Sequence, residues 1–262
     1  SGGDVIEQPI RIHFTVHLLQ QLRRKILVPL QPEKTGCANR FAADHPDKLT
    51  SLGPIKARLE QLIARAPDGE AQALAVTLCE MRADGLGMGQ VQFRVNNSQL
   101  QNAIRRRIDP AGKLDLASQA ALGHMRDLLT QVRPLRSNLA ALAIEGSTAV
   151  RQFLIMVQIL RHIDADAPIR MLVAECEQPT TVLAALYFAE LFGIADKVDV
   201  SPLFETESAL EHGGRFLDAV LAEPAYQAYA RRRGRVAIQT GFSDAGRFVG
   251  QIPAALAIER LQ

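Results

Sequence analysis

Apolar residues recur along this chain with two different periods, and the two take turns. Short runs rich in β-branched and aromatic residues, at 10–16 (IRIHFTV), 90–95 (QVQFRV), 169–175 (IRMLVAE), 198–204 (VDVSPLF) and 235–242 (RVAIQTGF), predict strands. Between them, the stretches 52–66, 70–83, 147–163, 180–194 and 208–223 place apolar residues at i, i+3 and i+4, the stripe of a helix with one buried face. Thr180 and Ser208 begin the last two of these and are candidate N-caps. Strand and helix alternate through the second half, the order that gives parallel strands joined by right-handed crossovers. The pattern predicts an α/β fold, and the length of 262 residues suits one large domain as well as two smaller ones. Five strands are too few to close an eight-stranded barrel, so the sheet is expected to be open or incomplete.

Two stretches break the rhythm. Pro, Gly, Asn and Asp crowd into 28–52, which reads as a loop long enough to be a functional lid, a flexible segment or a place where residues are missing. The string GLGMG (85–89) resembles a dinucleotide fingerprint, but it follows a helix and precedes a strand. That is the reverse of the order that sets a pyrophosphate on a helix N-terminus, so it reads as a helix C-cap and turn.

Composition narrows the classes further. The 262 residues carry a net charge of only +2, and the two basic clusters, Arg105 to Arg107 and Arg231 to Arg233, each follow or sit within a helix-like stretch and read as solvated faces. No nucleic-acid partner is expected on that balance. Three scattered cysteines, Cys37, Cys79 and Cys176, form no CxxC pair and suit a reducing compartment. No apolar run approaches the roughly 20 residues that span a bilayer, and the start, SGGDVIEQ, lacks the features of a signal peptide. The expectation is a soluble, cytoplasmic protein without a membrane partner. A first residue of Ser rather than Met suggests a processed or partial product.

Candidate chemistry collects at the strand ends. Glu205 and Asp244 each follow a predicted strand by one or two residues, the position where α/β proteins keep reactive groups. Two hard carboxylates with room for waters suit Mg²⁺ or Mn²⁺, and both could equally cap the helices that begin beside them. Arg247, three residues after Asp244, could offer a forked donor to a phosphate or carboxylate, or be a surface arginine. His17 ends the first strand and could act as general acid or base, or serve structure alone. No lysine falls at a predicted strand end, which argues against an aldolase-like Schiff-base route.

Several of these segments resemble phosphoenolpyruvate carboxylase of the bacterial and plant type. GFSDAGRFVG (241–250) is similar to that family's GYSDSAKDAG, SPLFETESAL (201–210) to PLFETLDDL, and FTVHLLQQLRRKIL (14–27) to LTAHPTEITRRTLI, in the same order along the chain. Weaker likeness runs through ECEQPTTVLAA (175–185) and through the segment leading to the family's RIDIRQES strand. The resemblance implies a mostly helical (β/α) TIM-barrel-type fold, present here as a partial barrel of about five parallel strands with extra helices, in a single α/β domain over 1–262. It implies Mg²⁺ or Mn²⁺ held by Glu205 and Asp244, with His17 and Arg247 catalytic and Arg94 and Ser243 in contact with substrate.

The implied reaction is the carboxylation of phosphoenolpyruvate by bicarbonate through carboxyphosphate and a metal-bound enolate. A metabolite-regulated homotetramer is implied as well. The sequence also departs from the family. Leu18, Leu19 and Gln20 stand where the family has Pro-Thr-Glu, and Phe248 and Val249 where it has Asp-Ala. Gln92, Arg94 and Asn96 stand for its Arg, Asp and Arg, so a phosphate or carboxylate contact is lost unless Arg94 supplies it. The family's glycine- and arginine-rich loop falls beyond the last residue, as expected for part of a longer homologue. The alternative is a degenerate relative that binds an acidic metabolite or has a structural role.

Overall fold

The protein is described here by a computed structural model covering residues 48–86 and 90–261. The strand expected at 10–16, His17, most of the loop at 28–52 and the end of GLGMG lie outside these residues. The described residues are mostly helical around one four-stranded, fully parallel sheet in the order β1-β2-β3-β4: β1 Val91–Asn96, β2 Ile169–Ala174, β3 Val198–Phe204 and β4 Gln239–Thr240.

Alternation decides which side of this sheet is covered. Val95 on β1, Ile169, Met171 and Val173 on β2, and Val198, Val200 and Phe204 on β3 are all buried in one apolar cluster. Each such side chain taken out of water contributes about 1.5–3 kcal/mol. The intervening residues face the other way. In the paired register Gln92, Arg170 and Asp199 stand abreast, followed by Arg94, Leu172 and Ser201, with Leu203 abreast of Gln239. The sheet therefore has an apolar, helix-covered face and a markedly polar opposite one.

The helices that form the covering layers follow the expected periodicity with shifts at their ends. Residues 52–66 and 70–83 give α1 (Gly53–Ile63) and α2 (Asp68–Asp84), and Gly85 ends α2 at φ +61, donating its N–H to Met81 O, as the C-cap reading requires. After β1 come α3 (Asn97–Ile108), α4 (Gln119–Gln131), α5 (Leu139–Ile144) and α6 (Thr148–His162). Between β2 and β3 lies α7 (Pro179–Leu191), in which eleven of thirteen residues are buried. A helix apolar on every side belongs inside a molecule, and α7 packs against β2, β3, α3 and α4. Beyond β3 come α8 (Glu207–Leu221), α9 (Pro224–Arg233), α10 (Ser243–Val249) and α11 (Gln251–Leu261).

Three expectations need correction. Thr180 does not cap α7: Pro179 opens that helix after Gln178, and the Thr180 hydroxyl instead donates to Leu116 O at 2.9 Å. Ser208 does not cap α8, because Thr206 two residues earlier accepts from the Ala209 N–H at 3.1 Å. The strand expected over 235–242 is reduced to Gln239–Thr240. Its first half has no edge to pair with, since the Tyr229 hydroxyl accepts from Val200 N–H and donates to Val198 O, both at 2.8 Å. One buried hydroxyl thus satisfies the β3 edge that 235–238 would have used.

The arginine triplets are more engaged than a solvated face. Arg107 donates to the Tyr187 hydroxyl at 3.0 Å and lies over its ring, and Arg105 pairs with Asp109 at 2.8 Å. Arg232 pairs with Glu190 and Asp196, and Arg233 with Asp199.

Candidate functional site

The carboxyl ends of β3 and β4 meet. Gly241 continues the parallel ladder by donating its N–H to Phe204 O at 2.8 Å. A Cβ placed on Gly241 would fall 2.7 Å from Glu205 Cβ, so only a residue without a side chain fits against the end of β3. The turn after β4 is thereby pinned beside Glu205, and α10 begins two residues later with Ser243 and Asp244 in its first turn. Ser243, Asp244 and Arg247 are all exposed. Among the described residues none of their three side chains makes a hydrogen bond or ion pair. Glu205 is not a helix cap, since Thr206 fills that role for α8, and Asp244 caps nothing either, lying inside α10.

Glu205 itself is buried, and its side chain retains only 10% exposure. A carboxylate so placed requires a compensating charge. Arg94 supplies it from β1, its Nη2 donating to Oε1 at 2.8 Å and to Oε2 at 2.9 Å. To do so the side chain crosses the width of β2, while remaining 59% exposed along its length. Arg94 and Glu205 lie on the same polar face of the sheet, which is why the two can meet. Of the six residues proposed from sequence, the structure brings Arg94 to Glu205, and the chain leading into Ser243–Arg247 packs against Glu205 at Gly241. His17 lies outside the described residues.

The neighbouring substitutions relative to the family pattern have different consequences. Asn96 is the N-cap of α3, accepting from the Gln99 N–H at 2.9 Å while Gln99 accepts from the Asn96 N–H at 3.2 Å. This capping box gives Asn96 a structural role. Gln92 is exposed on β1.

Oxygen ligands are present in Glu205 and Asp244, and the buried one of the pair calls for a cation beside it, which fits a hard divalent ion. The fit carries one condition, that Arg94 give up the two oxygens it now holds. Among the described residues no group of three or more His, Cys, Asp or Glu side chains gathers as a metal cluster.

At the amino end of the same polar face lies a second charged group that the sequence reading missed. Asp199 is 3% exposed and accepts from Arg233 Nε and Nη2 at 3.0 and 2.7 Å and from Arg235 Nε and Nη2 at 3.1 and 2.7 Å. Burial pushes its carboxyl up, but hydrogen bonds and charge from Arg235 and Arg233 outweigh that and hold it below the usual carboxylate range. The adjacent Tyr229 hydroxyl is pushed up to about 12, chiefly by burial. The signal for this cluster was an aspartate in an otherwise uncharged strand. Cys176 is also buried, which drives its thiol upward and leaves it inert as a nucleophile.

Comparison with known proteins gives a consistent picture. The family model described as phosphoenolpyruvate carboxylase matches residues 44–261. The chain is 34% identical over 95 residues to phosphoenolpyruvate carboxylase of Thermus sp. (strain 71), covering 34% of this chain and 11% of that protein. It is 26% identical over 192 residues to the phosphoenolpyruvate carboxylase of Xanthomonas campestris pv. campestris (strain 8004), covering 71% of this chain and 21% of that protein. The chain thus spans about a tenth to a fifth of the length of these relatives.

Proposed function

Because the chain belongs to the phosphoenolpyruvate carboxylase family, we propose that it contributes the strand-end site of a lyase that joins phosphoenolpyruvate and bicarbonate into oxaloacetate and phosphate. The observation that carries this reading is the contact of Glu205 with Gly241, which sets the acid at the end of β3 beside the loop that bears Asp244. In this reading the four-stranded sheet is one side of a (β/α) barrel within a single α/β domain. Its polar face, with Gln92, Arg94, Arg170, Asp199, Ser201, Glu205 and Gln239, has the character of a barrel interior. A cytoplasmic homotetramer is part of the same proposal and rests on the family alone.

Glu205 and Asp244 would hold Mg²⁺ or Mn²⁺, which when bound supplies positive charge for the oxygen of the developing enolate. Arg94 and Ser243 would orient the phosphate or carboxylate of phosphoenolpyruvate, and Arg247 would stand as a fixed cation beside the phosphoryl group in transit. His17 is assigned to proton handling. Bicarbonate oxygen attacks phosphorus, the bond to the enol oxygen breaks, and carboxyphosphate and an enolate result. Carboxyphosphate then splits into phosphate and CO₂, and the enolate carbon takes up the CO₂. Water must be kept from that carbon, since protonation would give pyruvate instead.

One observation favours a second reading, a non-catalytic relative that binds an acidic metabolite. Arg94 already neutralises Glu205, so the buried acid is compensated without a metal. The deciding experiment follows oxaloacetate formation by the intact protein with Mg²⁺, phosphoenolpyruvate and bicarbonate, beside an Asp244→Asn variant. Turnover that falls at least ~100-fold in the variant supports the lyase. Phosphoenolpyruvate binding without any oxaloacetate establishes the second reading.

A further inference from the structure

The Arg94–Glu205 pair has a geometry that bears on how the site is loaded. Arginine commonly meets a carboxylate through two nitrogens, fork to fork. Here a single nitrogen, Nη2, lies almost equidistant from both oxygens, at 2.8 and 2.9 Å. It lies on the bisector of the carboxylate and so screens both oxygens at once. The two partners are also unequally fixed. Glu205 is 10% exposed and held by the packing of Gly241 against its Cβ, whereas Arg94 is 59% exposed and reaches in from solvent. Among the described residues Arg94 has no other partner, and no other cation is hydrogen-bonded or ion-paired to Glu205.

We propose that Arg94 is an internal competitor of the divalent cation for Glu205: guanidinium and metal ion hold the carboxylate in alternation, and entry of the metal releases Arg94 toward the anionic substrate. This inference rests on the assignment of Glu205 to metal binding made above. The buried acid keeps a counter-charge in both states, so it is never left alone in a low-dielectric site. The freed guanidinium returns to solvent cheaply, because most of its length is already there, and it is then available for a phosphate or carboxylate held near the ion. Metal and substrate binding are thereby coupled through one side chain. The apparent metal affinity is lowered by the fraction of molecules in which the pair is closed. A half-exposed pair of this kind closes most but not all of the time, which sets the expected effect at about three- to tenfold.

The test is titration of the intact protein with Mn²⁺ alone, reading free Mn²⁺ by electron paramagnetic resonance. Arg94→Gln is expected to bind Mn²⁺ about three- to tenfold more tightly than wild type, with Arg94→Lys in between. The difference should shrink at 1 M salt, where the Debye length is about 3 Å and the internal competitor is screened. Phosphoenolpyruvate should tighten Mn²⁺ binding in wild type and do so less in Arg94→Gln. The companion variants Glu205→Gln and Asp244→Asn separate this proposal from the one beneath it. Should both abolish binding while Arg94→Gln leaves it unchanged or weaker, the competition is refuted and the metal assignment stands. Should Mn²⁺ binding be indifferent to Glu205→Gln and Asp244→Asn, the metal assignment fails and the competition falls with it.

Discussion

Replacing Gly241 by alanine tests the contact on which the site is built. The backbone at Gly241 is not in the left-handed region, so alanine carries no conformational penalty and the outcome depends on space. The new methyl would sit 2.7 Å from Glu205 Cβ and 3.4 Å from its Cα, against the 3.5–4.0 Å at which carbon atoms attract. Both neighbouring atoms belong to or adjoin the backbone of β3 and cannot swing aside, so β3 and β4 must part by nearly 1 Å. Overpacking of this kind costs about 1–3 kcal/mol.

Gly214, in the exposed interior of α8, provides the control. A Cβ there meets nothing within 4 Å, and alanine should stabilise by about 0.5–1 kcal/mol through helix propensity. Urea unfolding of both variants, followed by circular dichroism, should therefore move their midpoints in opposite directions. A Gly241→Ala protein within about 0.5 kcal/mol of wild type, the range of ordinary surface substitutions, would refute the packing of the two strand ends and with it the placement of Asp244 near Glu205.

Other substitutions probe the rest of the polar face. Tyr229→Phe removes the hydroxyl that serves both Val198 and Val200, leaving backbone groups of β3 unpaired, and should cost about 1–3 kcal/mol in urea unfolding. Asp199→Asn leaves Arg233, 13% exposed, beside an uncharged partner and should cost about 3 kcal/mol in the same assay, with the half-exposed Arg235 recovering water. Because the folded Asp199 carboxyl is held below its unfolded value of about 3.9, its contribution is fully present above that pH and disappears as pH falls toward the folded pKa. Unfolding midpoints of wild type and Asp199→Asn should accordingly differ at pH 6 and converge below about pH 4; a gap that persists at low pH would show the loss to be one of packing.

The sequence by itself determined those elements whose own residues carry enough information to specify them. Strand β3 was expected over 198–204 and occupies Val198–Phe204, and β2 differs from expectation by a single residue, because short runs buried on one or both faces leave little choice of register. The helices α1, α2, α6 and α8 were legible from their apolar stripes, and α7 was legible as a helix although it is buried on every side and not on one face. Helix α3 was not, because only Leu100, Ala103 and Ile104 are buried on an otherwise polar segment ending in three arginines. The position of Glu205 just past its strand was legible too, since where an apolar run stops is a local fact, whereas Asp244 lies beyond a much shorter β4 and inside α10.

What only the tertiary structure decided are relations between distant segments. The fifth predicted strand is short because Tyr229, from a different helix, takes the β3 edge it would have paired with. Arg94 reads locally as a free cation on a strand, yet it closes on Glu205, 111 residues away, because parallel pairing through β2 puts both on one face. Asp199 is likewise buried at the cost of two arginines recruited from the end of α9 and the residues after it. Side-chain period and capping act within a few residues and can be read in sequence order. Charge compensation acts through space, and its partners are fixed only once the sheet has brought them together.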